Sequence, residues 1–194
     1  MNNVLIIIDP QVDFITGSMT VEGAKEKMIA LKDYIEHNPG VYGKIILTLD
    51  WHPVNHCSFA EWGGIWPRHC VEFTQGALPY PPLYNILITE VNRNFSQLII
   101  RTKGKNRKEE EYGAFSNYEN PEGWNAILTA DEIHISGIMS EYCVLESLKG
   151  IIQEYPSLAG KIKVLLPFIA TGDEHRALIE YCDKNKITYC VEWK

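Results

Sequence analysis

Apolar residues recur in six short clusters along the chain, at 4–8, 45–49, 98–100, 133–138, 162–166 and 187–191. Each is rich in isoleucine, leucine or valine and too short for a helix of that hydrophobicity, so each predicts a strand. Most lack polar alternation, the pattern of strands covered on both faces within a parallel sheet. Between several of them the spacing turns helical. Ala24, Met28, Leu31 and Ile35 fall on one helical face and stop before Asn38-Pro39-Gly40, where proline restricts its predecessor and glycine suits a C-terminal turn. Val144, Leu148, Ile151 and Ile152 form a second stripe ahead of Pro156, and residues 173–184 form a third, opened by Asp173 and closed by Lys184-Asn185. Strand alternating with helix predicts an α/β fold: a parallel, Rossmann-like six-stranded sheet with helices on both faces and right-handed crossovers. Such sheets bind ligands just beyond the carboxyl ends of their strands.

One stretch breaks this rhythm. Residues 50–84 hold five of the ten prolines, three of the five tryptophans and three of the six histidines, with little periodicity. A loop this long inside a compact domain is usually functional or disordered, and its aromatic content argues against disorder. The run KGKNRKEEE at 103–111 reads as a solvated loop for most of its residues. With 194 residues, no repeat and no linker, the chain is expected to form a single domain over 1–194, with 50–84 as a metal-binding loop region. A net charge of −7 disfavours nonspecific binding to nucleic acid or anionic membranes. No apolar run approaches the ~18 residues of a membrane span. Met1-Asn2-Asn3 leads straight into an apolar run without the basic flank of a signal peptide, which predicts a cytoplasmic protein. Five irregularly spaced cysteines, at 57, 70, 143, 182 and 190, predict reduced thiols rather than a disulfide framework.

Three polar residues stand at or just after predicted strand ends: Asp9, Lys103 and Cys143. An open sheet brings such positions to one edge. A thiolate is the nucleophilic form of cysteine, and a helix start together with an ammonium lowers the thiol pKa while a carboxylate can take its proton. Cys143 alone among the cysteines is placed for this chemistry, although a lone cysteine is also commonly an inert core residue. In the aromatic stretch, Asp50 and His52 project to the same side of an extended segment, and His69 follows Trp66-Pro67-Arg68. One carboxylate and two imidazoles form the open set of a three-ligand metal centre suited to zinc, iron or manganese. His56 offers a fourth ligand, and the same spacing also fits a loop that holds three histidines without an ion. Trp51, Trp62 and Trp124 read as core packing.

Taken together, Asp9-Pro10-Gln11-Val12-Asp13-Phe14, Asp50-Trp51-His52-Pro53, Trp66-Pro67-Arg68-His69-Cys70, Lys103-Gly104 and the segment Gly137 to Val144 resemble, in order and collinearly, the nicotinamidases of the isochorismatase-like cysteine hydrolases. The resemblance implies the isochorismatase-like hydrolase fold and a metal-dependent amidohydrolase that converts nicotinamide to nicotinate and ammonia in NAD salvage. It implies a catalytic triad of Asp9, Lys103 and Cys143, and a metal site of Asp50, His52 and His69 holding one divalent ion, zinc first among the candidates. Phe14, Met19, Trp66 and Tyr112 are expected to line the ring pocket. The Ile138–Met139 peptide is expected to be cis, with the Met139 and Cys143 N–H groups forming an oxyanion hole. A small-molecule pyridine carboxamide is the expected partner, and a homo-oligomer the expected assembly. Met139-Ser140-Glu141 departs from the commoner Ala-Thr-Asp, and residues 105–111 form an unusually charged insertion. A second reading keeps the same nucleophile but gives it another small amide or carbamoyl substrate.

Overall fold

The apolar runs pair side by side because residues buried on both faces have no solvent side to defend. The computed structural model describes residues 2–94, 96–115 and 121–192. Its strands are β1 (Val4–Ile8), β2 (Lys44–Asp50), β3 (Gln97–Lys103), β4 (Ile133–Gly137), β5 (Ile162–Ile169) and β6 (Thr188–Cys190). All neighbouring pairs are parallel, in the order β3-β2-β1-β4-β5-β6. Every β1 side chain is buried, and successive residues feed opposite layers. Val4, Ile6 and Ile8 join Trp124, Leu148 and Leu178 in one layer, whereas Leu5 and Ile7 join Met28, Leu31 and Leu87 in the other. Each such aliphatic side chain contributes about 1.5–3 kcal/mol by burial.

The second layer is covered by α2 (Ala24–His37) and α3 (Pro81–Asn94), with the short α1 (Val12–Ile15) beside them; the first is covered by α4 (Pro121–Leu128), α5 (Leu145–Glu154) and α6 (Arg176–Asn185). Helix α2 buries the four residues of the expected stripe and ends at Asn38, two residues before Gly40 at φ 76°. Helices α3 and α4 are not evident in the apolar pattern. Pro81 and Pro82 open α3, where the first turn needs no donors, so Pro81 to Tyr84 belong to a helix rather than to the aromatic loop. The third stripe starts later than expected, at Arg176, because Asp173 and Thr171 pair with each other at 3.0 Å and His175 adopts a left-handed φ of 63°.

The strand order reverses direction between β1 and β4, so the crevice at their carboxyl ends is where a ligand fits. Gly137 sits there at φ 128°, and a Cβ on it would collide with the Ile8 carbonyl. The aromatic loop folds back onto this crevice. Its two arms meet at the His52–Val71 and Phe59–Trp66 bridges, and the Asp13 carboxylate accepts the Cys70 N–H at 2.8 Å and the Ser18 N–H at 3.0 Å. Trp124 is core, as expected, and Trp51 is half-buried, but Trp62 is 56% exposed because the turn Ala60–Trp62 carries it outward. All five cysteines are free thiols. Among the described residues, no helix is long and apolar enough to cross a membrane.

Candidate active site

Four strand ends supply the polar residues of the crevice. Asp9 follows β1 at φ 47°, Asp50 closes β2 and Lys103 closes β3. Cys143 follows β4 within a single π turn, Ser140–Val144, that runs into α5. The Ile138–Met139 peptide is cis. The Ser140 N–H donates to the Ala170 carbonyl at 2.9 Å, which fixes the approach to this turn.

Lys103 is the hub. Its Nζ lies 2.9 Å from Asp9 Oδ2 and 3.4 Å from Cys143 Sγ, and it also pairs with Asp50 Oδ1. All four groups are buried. Asp9 Oδ1 accepts the Thr48 hydroxyl at 2.6 Å, whereas Oδ2 makes its ion pair without an aligned hydrogen bond and keeps acceptor capacity; a carboxylate oxygen of Asp9 lies within 4.8 Å of Cys143 Sγ. Burial raises the Asp9 pKa above the ordinary carboxylate value, with Lys103 opposing it. Burial pushes Asp50 the same way, but Lys103 and His52 outweigh it and hold that carboxyl below the usual range. Lys103 stays an ammonium because Asp50 and Asp9 together overcome its desolvation. For Cys143 the structure corrects the sequence expectation. Burial raises its thiol well above the ordinary value despite the nearby ammonium, so the group rests protonated and must hand its proton over as it attacks.

Beside this trio, donor atoms of Asp50, His52 and His69 lie within 4.8 Å of one another. The tautomers follow from the acceptors. His52 Nδ1–H donates to the Gly104 carbonyl at 2.9 Å and His69 Nδ1–H to the Pro67 carbonyl at 2.7 Å, so both Nε2 atoms turn toward the shared point, that of His52 lying 3.5 Å from Asp50 Oδ2. Backbone acceptors of this kind orient metal-ligating imidazoles, so the set fits a divalent ion. His56 is differently employed. Its Nε2–H donates to the Glu109 carbonyl at 3.1 Å and its Nδ1 accepts from the Ser58 hydroxyl at 2.7 Å, so it has no lone pair to offer. It stacks on His52 at 4.2 Å, and burial together with His52 holds its pKa down to about 4.

A small cavity opens over Cys143, Asp50 and His69 and is lined by Phe14, Met19, Trp66 and Tyr112. Phe14 leans on the His69 ring at 5.4 Å, and Trp66 Nε1–H donates to the Tyr112 hydroxyl at 3.0 Å. Met139 also lines the cavity, and among the described residues its N–H has no acceptor.

No family model matches the chain. A nicotinamidase of Acinetobacter baylyi is 30% identical over 164 residues, covering 74% of this chain and 71% of that protein. The chain belongs to the nicotinamidase family. A nicotinamidase of Saccharomyces cerevisiae is 29% identical over 176 residues, covering 72% of this chain and 76% of that protein. The fold of a Pyrococcus horikoshii pyrazinamidase solved with zinc superposes at a TM-score of 0.74, with 24% identity over 98% of this chain and 99% of that one.

Around this site, three supporting residues carry little signal of their own in the sequence. Gln11 is fully buried and clasps Asp50, donating to its carbonyl at 2.7 Å and accepting its N–H at 2.8 Å. Thr48 holds Asp9. Glu111, at the end of the charged run, accepts the Gly104 N–H at 2.8 Å and so braces the carbonyl that orients His52. Gln11 lies inside the first motif and Thr48 inside an apolar strand, which is the one hint either offers. Of the carboxylates near the loop, Glu61 pairs with Arg68 at the surface.

Proposed function

We propose that this protein hydrolyses nicotinamide to nicotinate and ammonia with Cys143 as nucleophile, Asp9 as proton carrier and Lys103 as the cation that holds both. The observation that carries the reading is the hub geometry: one ammonium 2.9 Å from a carboxylate and 3.4 Å from a sulfur, at the reversal point of the sheet and under a small aromatic-lined cavity. The pyridine ring sits among Phe14, Met19, Trp66 and Tyr112, which places its carboxamide carbon against Cys143 and turns an encounter into an oriented reaction. A divalent ion held by Asp50, His52 and His69, zinc in this reading with iron or manganese suiting the same donors, supplies a Lewis-acid contact for the pyridine nitrogen when bound.

The Cys143 proton passes to Asp9 Oδ2 as sulfur adds to the carbonyl carbon. The raised Asp9 pKa suits a carboxyl that must hold this proton. The oxyanion is met by the N–H groups of Met139 and Cys143. The C–N bond then breaks, the Asp9 proton leaves with the amine as ammonia, and a thioester on Cys143 remains. Water gives its proton to Asp9 and adds to the thioester. Breaking the C–S bond releases nicotinic acid, which ionises to nicotinate in water, and the proton held by Asp9 returns to sulfur. Throughout, Lys103 keeps its charge, which prevents two adjacent carboxylates from repelling each other.

Cys143→Ala should lower ammonia release from nicotinamide by at least about 10³-fold while the purified variant retains its metal by elemental analysis. Turnover within tenfold of wild type would overturn the nucleophile assignment. Ammonia release from carbamoyl compounds but not from nicotinamide would favour the second substrate class.

A further inference from the structure

Apart from Glu111, which braces Gly104, the charged segment at 105–111 has no part in the chemistry above, and its composition is that of a solvated loop. Yet it is tied down across the site. The Arg107 carbonyl accepts the Cys57 N–H at 2.9 Å, the Glu109 carbonyl accepts the His56 Nε2–H at 3.1 Å, and the Glu111 carboxylate accepts the Gly104 N–H at 2.8 Å. The Glu111 carbonyl also faces Lys103 Nζ at 3.4 Å. Glu110 lies between two of these tethers. It borders the same cavity as Cys143 and His69, and its carboxylate lies within electrostatic reach of His52, Asp50 and Lys103. The carboxylate is met only by the N–H of its neighbour Glu111, so it does not tether the loop to another element.

Substrate and product of the proposed reaction differ by one charge: the carboxamide is neutral and the carboxylate an anion. Resting on the nicotinamide reading, we infer that Glu110 is a specificity-determining residue that favours the neutral carboxamide over the anionic product, limiting product inhibition. A carboxylate at the edge of the cavity acts on an ionic ligand through the full Coulomb interaction and on a neutral amide only through its dipole. Across a small cavity at an effective dielectric between protein surface and water, one such pair changes binding by about three- to tenfold. Salt weakens the effect because the side chain also faces solvent.

The test is product inhibition of the metal-loaded enzyme at pH 8. In Glu110→Gln the inhibition constant of nicotinate should fall about three- to tenfold, the KM for nicotinamide should stay within about twofold, and the difference should shrink in concentrated salt. Glu36→Gln removes the same charge from the exposed side of α2 and should leave the nicotinate constant unchanged. An unchanged constant in Glu110→Gln overturns the inference, as does an equal change in KM, which marks a packing role, or a matching effect of Glu36→Gln. Wild-type protein that releases no ammonia from nicotinamide fails the functional reading itself. Calorimetric binding of nicotinate and nicotinamide to the wild-type and Glu110→Gln proteins then decides the charge effect separately, and the absence of any selective gain for the anion overturns it.

Discussion

Gly104→Ala should loosen the metal site from one atom outside it. Gly104 has φ 68°, which costs a residue with a Cβ about 1–2 kcal/mol, and the added methyl would lie 2.6 Å from His52 Nδ1. Ordinary contact needs roughly 3.4 Å or more, so something must move by nearly an ångström. His52 is 1% exposed, packed between His56 and His69, and its Nδ1–H is committed to the Gly104 carbonyl. The ring therefore turns and its Nε2 leaves the shared point with Asp50 and His69. Losing this kind of backbone support costs metal affinity about 10–100-fold. Backbone strain and overpacking together should lower stability by about 2–4 kcal/mol, or roughly 4–16 °C in Tm for a chain of this size. Zinc affinity by chelator competition and thermal melting of the metal-free protein measure the two effects. Gly23→Ala is the control: φ is 72° with nothing within 4 Å of the new Cβ, so it should lower Tm by a few degrees and leave zinc affinity intact. Equal zinc affinities for Gly104→Ala and wild type would refute the link between Gly104 and the ligand.

Two further outcomes are expected. Lys103→Met leaves Asp9 and Asp50 buried without their shared cation, so stability should drop by about 3–5 kcal/mol, read as Tm at neutral pH, and a change under about 1 kcal/mol would contradict the hub. Burial holds His134 and His175 below the ordinary imidazole pKa, so the unfolded chain takes up their protons first. Their contribution is intact above about pH 6.5 and is lost as pH falls below it, by up to about 1.4 kcal/mol per pH unit for each group. Urea unfolding from pH 8 to 5 should show this slope, and His134→Leu should flatten it; an unchanged slope contradicts the assignment.

The strands and the trio are legible in the chain because their signals are local. An uninterrupted apolar run marks a strand buried on both faces, and Asp9 and Lys103 stand where such runs stop. Helix α3 is obscured because Pro81 and Pro82 imitate a loop, although the first helical turn tolerates both. The direction of the Cys143 pKa depends on how much of its surroundings is protein, a quantity that no spacing encodes. Gln11, Thr48 and Glu111 are single polar residues whose partners lie 39, 39 and 7 positions away, so their roles exist only after folding. For His56, spacing offers a fourth ligand, while the fold turns it toward Ser58 and Glu109.

The strap at 105–111 is fastened largely through main-chain atoms. Its carbonyls at 107 and 109 would stay in place whichever side chains accompanied them, whereas the anchor at Glu111 depends on a particular carboxylate. Charge at the entrance, that of Glu111 apart, can therefore be rewritten one residue at a time without disturbing the reacting groups beneath. That separation offers a practical route to enzymes of altered product tolerance built on an unchanged catalytic base.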